Sequence, residues 1–377
     1  QLHTVVVAAG AEPIVELAVP FKGKQLRGAD LERQLQDWVR SGSMEPSAAA
    51  AISEVAAHPQ WLSLPGRTVA VLGATSEMGP LRSLLQWGVQ VAAVDLPRPQ
   101  VWHEILSRPR AGQLLVPSRD PAPPSTEQSA GADLMHDPAA VAQWLESLPG
   151  DLVIGNYVYA DGVDNLRLSA SVDALAVRIL DSRPQTALAF LATPTDVFAV
   201  PSEVVEFSTE AYERQSWLRT MRPLARLASG GRLLRRNYAA GADPGINDSV
   251  VAQQGPNYIL AKRIHRWRAT EAASNGQLVS MNVAPPTRTR SVLKNRALAA
   301  AYSGAHRFGV EVFDPSTSAV LMAALLVHDL CANAAPATEP WQQEARNAIH
   351  GGLWRGPYAP RSALGIAVVL GVGGLRA

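Results

Sequence analysis

The chain holds a single cysteine, Cys331, among 377 residues. An intramolecular disulfide and a cysteine metal cluster are thereby excluded, and so thiol-poor a chain is expected in a reducing, cytoplasmic compartment. Net charge is equally scarce: 34 Lys and Arg against 33 Asp and Glu leave a formal +1. No strong field draws it to nucleic acid or to an anionic membrane. Long apolar runs are missing too. Leu2 to Val19 is too polar for the apolar stretch of a leader, and Ala363 to Leu375 is too short and too rich in glycine to span a bilayer. That last run is expected to be a buried terminal strand or an apolar surface patch, with membrane association as the alternative. The eight histidines show neither His-x-x-x-His nor His-Glu-x-x-His spacing, so no metal site is expected. Gly-x-Ser-x-Gly is absent, which removes the usual signature of a serine hydrolase. There is no internal repeat and no heptad pattern.

What the chain does have is a rhythm. Hydrophobic residues make up 47% and charged residues 18%, an ordinary globular balance. Residues 1–66 read as an N-terminal extension packing on the core. It contains a strand-like run (Thr4 to Ala9) and an Ala-rich helix after Pro46, and it closes at Leu64-Pro65-Gly66. From Arg67, short apolar runs alternate with helical segments. The runs are Val69–Leu72, Val89–Val94, Leu114–Val116, Leu152–Ile154, Ala187–Leu191 and Leu278–Met281. Buried parallel strands read in this way, with crossover helices between them. The expected class is α/β, a doubly wound parallel sheet of Rossmann type spanning residues 67–377. Pro117 to Ser129 reads as an exposed loop. Residues 200–256 read as an inserted helical subdomain, with Trp217, Leu218, Met221, Leu224 and Leu227 on one helical face. Residues 331–377 form a C-terminal tail.

The first run of the rhythm enters Gly73-Ala-Thr75-Ser76-Glu77-Met78-Gly79. Glycines there permit a tight turn and close approach of backbone to a pyrophosphate, and the next helix would aim its N-terminal amides at the phosphates. Asp95, followed by Leu96, ends the second run, where a carboxylate accepts from adenosine ribose hydroxyls. Asp95 favours NAD(H). Arg98, three residues on, leaves NADP(H) open.

Several further pieces follow in order, and together they resemble the short-chain dehydrogenase/reductase superfamily over roughly residues 67–330. Gly73 to Gly79 is similar to its Gly-Ala-Thr-Gly-x-x-Gly turn, with Ser76 in place of a glycine. Asp133-Leu134 looks like the pair that holds adenine. Asp151 to Asn156, followed by Tyr157, resembles the fourth strand and its Asn turn, of which Asn156 survives. Phe190 to Thr195 resembles the fifth strand, which ends in a catalytic hydroxyl. Gly255 to Lys262 resembles the Tyr-x-x-x-Lys helix. Asn282 to Thr289, with Pro285, Thr287 and Thr289, looks like the segment closing over nicotinamide, with Pro286 replacing a glycine.

The resemblance implies an NAD(P)-dependent oxidoreductase interconverting a carbonyl and an alcohol. A phenol titrates at about 10, and an ammonium one helical turn away favours its anion. Tyr258 is therefore expected as acid and base and Lys262 as the group that lowers its pKa, and the resemblance implies that Lys262 also holds the nicotinamide ribose. Thr193, or Thr195 in the alternative register, would polarise the substrate oxygen. The family's water-relay Asn is replaced by Ser169 or Ser171. The apolar insertion and tail suggest a bulky hydrophobic substrate, and relatives are often homo-oligomers. Two other functions remain open: an extended-branch epimerase or dehydratase, and a regulatory protein that binds dinucleotide without turnover. The basic run Lys262-Arg263-x-x-Arg266-x-Arg268 reads as a solvated helix face rather than a nucleic-acid surface.

Overall fold

The computed structural model describes residues 1–214, 222–332 and 337–372. Its strands are β1 (His3–Val7), β2 (Val19–Phe21), β3 (Lys24–Leu26), β4 (Arg67–Leu72), β5 (Gln90–Val94), β6 (Leu114–Ser118), β7 (Asp151–Asn156), β8 (Ala187–Ala192), β9 (Val197–Val200), β10 (Gly245–Asp248) and β11 (Val279–Val283). Seven of them form one sheet in the order β1-β6-β5-β4-β7-β8-β11. From β6 to β11 every neighbouring pair is parallel, whereas β1 runs antiparallel along β6. The chain winds outward from β4 through β5 to β6, returns to β7, and then winds out the other way through β8 to β11. The fold is therefore a doubly wound α/β sheet of Rossmann type. Its topological switch lies between β4 and β7, beyond whose carboxyl ends ligands bind in such sheets.

The six expected runs all became strands for one physical reason. Val69, Val71, Val91, Ala93, Val153 and Leu188 lose essentially all their solvent exposure, because helices cover both faces of a parallel sheet. On one face the helix Val163–Ser182 turns Val172, Leu175, Ala176 and Ile179 inward at helical spacing. It packs beside the helix Pro256–Ser274, and Arg268 joins the two through Asp173 at 2.7 and 3.0 Å. The other face is covered by the helices Gly28–Ser41, Pro46–Ala57 and Pro315–Cys331. Leu31, Leu35, Trp38, Ile52 and Val55 share one core with Val69, Val71 and Val91.

The N-terminal extension is thus part of the core and supplies the edge strand of the sheet. Its helix over 28–41 was not foreseen. It is locked to the tail by buried Glu45, which accepts from His350 Nε2 at 2.8 Å and from Arg355 twice at 2.7 Å. Burial alone would raise the Glu45 carboxyl, but these two partners hold it at about 2.

Two expectations need correction. Between 200 and 256 lie the helices Ser202–Arg214 and Arg222–Ala228, but the segment is anchored by a two-stranded antiparallel ladder of β9 and β10. Leu224 and Leu227 are 67% and 83% exposed. The short helix Arg222–Ala228 carries both at the spacing of one helical face and buries none of its residues, so that face is exposed. Trp217, Leu218 and Met221 lie outside the described residues. The tail run is the second case: it forms the helix Pro360–Val372 rather than a strand. Ala363, Ala367 and Gly371 recur every four residues and make a small-residue seam, which leaves Val369, Leu370 and Val372 facing outward. The surface-patch reading of this run describes that outer side. No helix among the described residues is long and apolar enough to cross a membrane.

Candidate active site

Beyond the carboxyl ends of β4, β5, β7, β8 and β11 lies a cleft of about 720 Å³, a size suited to a cofactor or substrate. At the switch point, Gly73 sits at φ +80°, and a Cβ there would lie 2.9 Å from the Tyr157 carbonyl oxygen. The turn after β4 and the end of β7 therefore meet backbone to backbone, which only glycine allows. Gly73, Thr75, Ser76, Glu77 and Met78 line the cleft, while Gly79 does not. The amides of Gly73, Ala74, Ser76 and Gly79 donate to backbone carbonyls, and that of Thr75 donates to Asp95. Among the described residues, the amides of Glu77 and Met78 have no partner. They are the unspent donors of the turn.

The first residues of the helix after the turn do not line the cleft. The helix after the turn is only Leu81–Gln86 and starts behind Pro80.

Other polar groups at this end are held by the protein itself. Asp95 lines the cleft and accepts from Thr75 N at 2.9 Å, from Thr75 Oγ1 at 2.8 Å and from Leu96 N at 2.8 Å. Arg98 caps the next helix and is not on the wall. Asp133 accepts from Met135 N and His136 Nδ1, each at 2.8 Å. Burial raises its carboxyl, but His136 and the turn amides hold it below its ordinary value. Ser171 donates to the Leu134 carbonyl at 2.5 Å and so pins the Asp133-Leu134 loop. Asn156 lies beneath the wall, buried, with Oδ1 accepting from Val158 N at 3.4 Å; it shapes the turn and does not face the cleft. Glu77 reaches across the opening to the loop after β11. It accepts from Arg290 N at 2.8 Å and pairs with Arg290 Nε at 3.2 Å.

At the other end the helix Pro256–Ser274 begins on Gly255, at φ +79°, with proline in its first turn. Tyr258 and Lys262, one turn apart, both line the cleft, as do Thr193, Pro285, Thr287 and Thr289. Thr287 is spent inside, donating to the Pro285 carbonyl at 2.8 Å. Lys262 Nζ donates to the Leu191 carbonyl at the end of β8, at 3.2 Å, and burial lowers its pKa to about 8. Burial raises the Tyr258 phenol above its ordinary 10, Thr193 draws it partly back and Asp196 adds to the rise. The lowering expected from Lys262 is not among these influences; in this state its ammonium is directed to the backbone of β8.

Thr193 and Thr195 share a hydrogen at 2.8 Å, and Thr195 Oγ1 donates to Gln254 Oε1 at 2.7 Å. The Gln254 amide sets the direction of this chain. With Oε1 toward Thr195 the hydrogens run outward. With Nε2 there they run inward, and Thr193 is free to donate to a substrate oxygen. Gln254 had no signal in the sequence, being one more polar residue before a helix.

Ser169 is fully buried, off the cleft wall, and its hydroxyl has no partner; His265, on the Tyr258 helix, is buried with both ring nitrogens unpartnered. The basic run is not a solvated face. Arg263 and Arg266 converge on buried Asp196 at 2.9 and 3.0 Å, Arg266 also holds Glu344 at 2.7 Å, and Arg268 holds Asp173. These ion pairs fasten the helix to its neighbours.

No protein-family model matches the chain, and no curated protein is similar to it. Among solved structures it is similar to a protein from Beutenbergia cavernae described as an NAD(P)-dependent gluconate 5-dehydrogenase with NADP bound at low occupancy. The two are 16% identical, with 78% of this chain and 98% of that chain covered and a TM-score of 0.39.

Proposed function

We propose that the chain is an NAD(P)-dependent oxidoreductase acting on a carbonyl/alcohol pair of a hydrophobic substrate, with NAD(H) as the favoured cofactor. One observation carries this reading: the turn after β4, Asp95, Asp133, Thr193, Tyr258 and Lys262 come from distant parts of the chain and line one cleft at the switch point. The cleft fits a dinucleotide. The unspent amides of Glu77 and Met78 would receive the pyrophosphate. Asp95, already oriented by Thr75 and Leu96, would accept from the adenosine ribose, and its charge on the wall, with Arg98 off it, favours NAD(H).

When bound, the nicotinamide supplies hydride exchange at carbon. The protein's part is the oxygen. Once the Gln254 amide presents Nε2 rather than Oε1 to Thr195, Thr193 would donate to the substrate oxygen and fix it against Tyr258. Tyr258 gives its proton to a carbonyl oxygen during reduction and takes it back from an alcohol during oxidation. Lys262 leaves the Leu191 carbonyl for the ribose hydroxyls, which brings its charge toward the phenol and lowers the phenol's pKa. Tyr258→Phe tests this assignment. Nucleotide-linked turnover should fall by about 10²- to 10⁴-fold with cofactor affinity unchanged. Retained turnover would remove Tyr258 from the chemistry.

A second reading has its own observation. Glu77 sets a carboxylate in the phosphate turn and ties it to Arg290. A protein that binds dinucleotide without turning it over could use this clasp as its sensor, and in that case Tyr258→Phe would change nothing that can be measured.

A further inference from the structure

Beside the cleft lies a second cavity of about 80 Å³ with an almost wholly apolar lining. Its walls include Val251, Leu298, Ala301, Phe308, Leu364 and Ala367. Pro286, Leu298 and Tyr302 line both cavities, so the two adjoin there. Thr195, hydrogen-bonded to Thr193, lines the small cavity. The apolar chamber therefore borders the place where the reacting oxygen would be held.

The wall formed by the helices Arg296–Gly304 and Pro360–Val372 cannot widen easily. A Cβ on Gly304 would lie 2.0 Å from the Ala367 carbonyl oxygen, and one on Gly371 would lie 1.8 Å from that of Ala300. These helices touch backbone to backbone along a glycine seam, so enlarging the chamber means separating them. A cavity of about 150 Å³ holds a benzene ring. By that measure this chamber has room for about three aliphatic carbons and none for a ring.

We propose that the chamber receives the chain end of a slim, unbranched aliphatic substrate, a primary alcohol or its aldehyde, whose oxygen lies at Thr193 and Tyr258 and whose chain passes Tyr302. This inference rests on the oxidoreductase reading and narrows its hydrophobic substrate to a linear chain, excluding fused rings. Oxidation transfers the carbinol hydride to NAD⁺ and the hydroxyl proton to Tyr258, leaving the aldehyde and NADH.

The test uses the full chain with NAD⁺ and the primary alcohols from ethanol to 1-decanol, reading kcat/KM at the nicotinamide absorbance. A buried methylene is worth about fourfold. The expected profile has about three consecutive steps of that size, once the chain is long enough to pass Tyr302, and then a plateau. Ala301→Leu, which fills the chamber, should flatten the steps. Leu364→Ala, a half-buried and milder change, should delay the plateau. Calorimetric titration of the same alcohols without nucleotide provides a second readout, in which affinity should rise over the same chain lengths. Turnover with a flat profile in both readouts would overturn the chamber and keep the oxidoreductase. Chain-length-dependent binding without turnover would keep the chamber and overturn the oxidoreductase. Neither turnover nor binding would overturn both.

Discussion

The two ends of the large cleft satisfy their polar groups in different ways. At the end proposed for the nucleotide, Asp95, Asp133 and Glu77 are each engaged by nearby backbone or side-chain donors. At the end proposed for catalysis, Tyr258 and Lys262 are desolvated, and burial is the largest influence on each. Hydrogen bonds made inside the protein fix a shape before any ligand arrives, at little energetic consequence for the ligand itself. Desolvation instead moves the titration itself, bringing Lys262 toward the working pH and carrying the Tyr258 phenol further above it, and makes both sensitive to a neighbouring charge. On the proposed reading, the first end would recognise a ligand and the second would exchange a proton.

Tyr258→Phe breaks the catalytic end outright, with the large loss of turnover given above. The next largest effect concerns Lys262. Its pKa of about 8 means that the ammonium is present below pH 8 and lost as pH rises through it. Cofactor affinity should therefore fall about tenfold from pH 7 to pH 9, the value of a hydrogen bond to a charged group. Lys262→Arg, which stays charged, should remove this pH dependence, as followed by calorimetry across pH. A pH-independent affinity in the unaltered protein would place Lys262 away from the cofactor.

Glu77→Gln sharpens the comparison from the nucleotide side. It takes a carboxylate away from the phosphate turn and weakens the bond to Arg290. Cofactor affinity should rise about threefold at low salt and by less at high salt, since exposed charges are screened. A loss of affinity would show that the Glu77–Arg290 clasp helps to hold the ligand.

The smallest effect is on stability. Burial, with Lys262 adding to it, holds His265 well below its ordinary 6.5, so the folded protein keeps it neutral while the unfolded chain takes up a proton below about 6.5. This contribution is complete above that pH and is lost as pH falls. His265→Leu removes two unpartnered nitrogens and should raise stability by about 1 kcal/mol at neutral pH. The gain should grow below pH 6.5 in urea melts. Equal destabilisation at every pH would mean that the ring's packing against Phe190 outweighs its missing hydrogen bonds.

The sheet was legible in the sequence because strands buried on both faces must be continuously apolar, and the runs from Val69 to Met281 have no other simple use. Most of the cleft was legible because its residues stand at strand ends. What could not be read depends on partners distant in the chain. Arg263 and Arg266 look like a solvated face until Asp196 and Glu344 come alongside. The tail run looks like a strand until Gly371 meets Ala300 across a helix pair. Asn156 matched a motif, yet its amide is used in its own turn. Gln254 and Tyr302 belong to no pattern and matter only through what they touch.

The most direct test of the central claim is calorimetric titration of the full chain with NAD⁺, NADH, NADP⁺ and NADPH. NAD(H) should bind, and bind more tightly than NADP(H), because Asp95 rather than Arg98 lines the cleft. Binding of none of the four would contradict the dinucleotide site and, with it, the oxidoreductase.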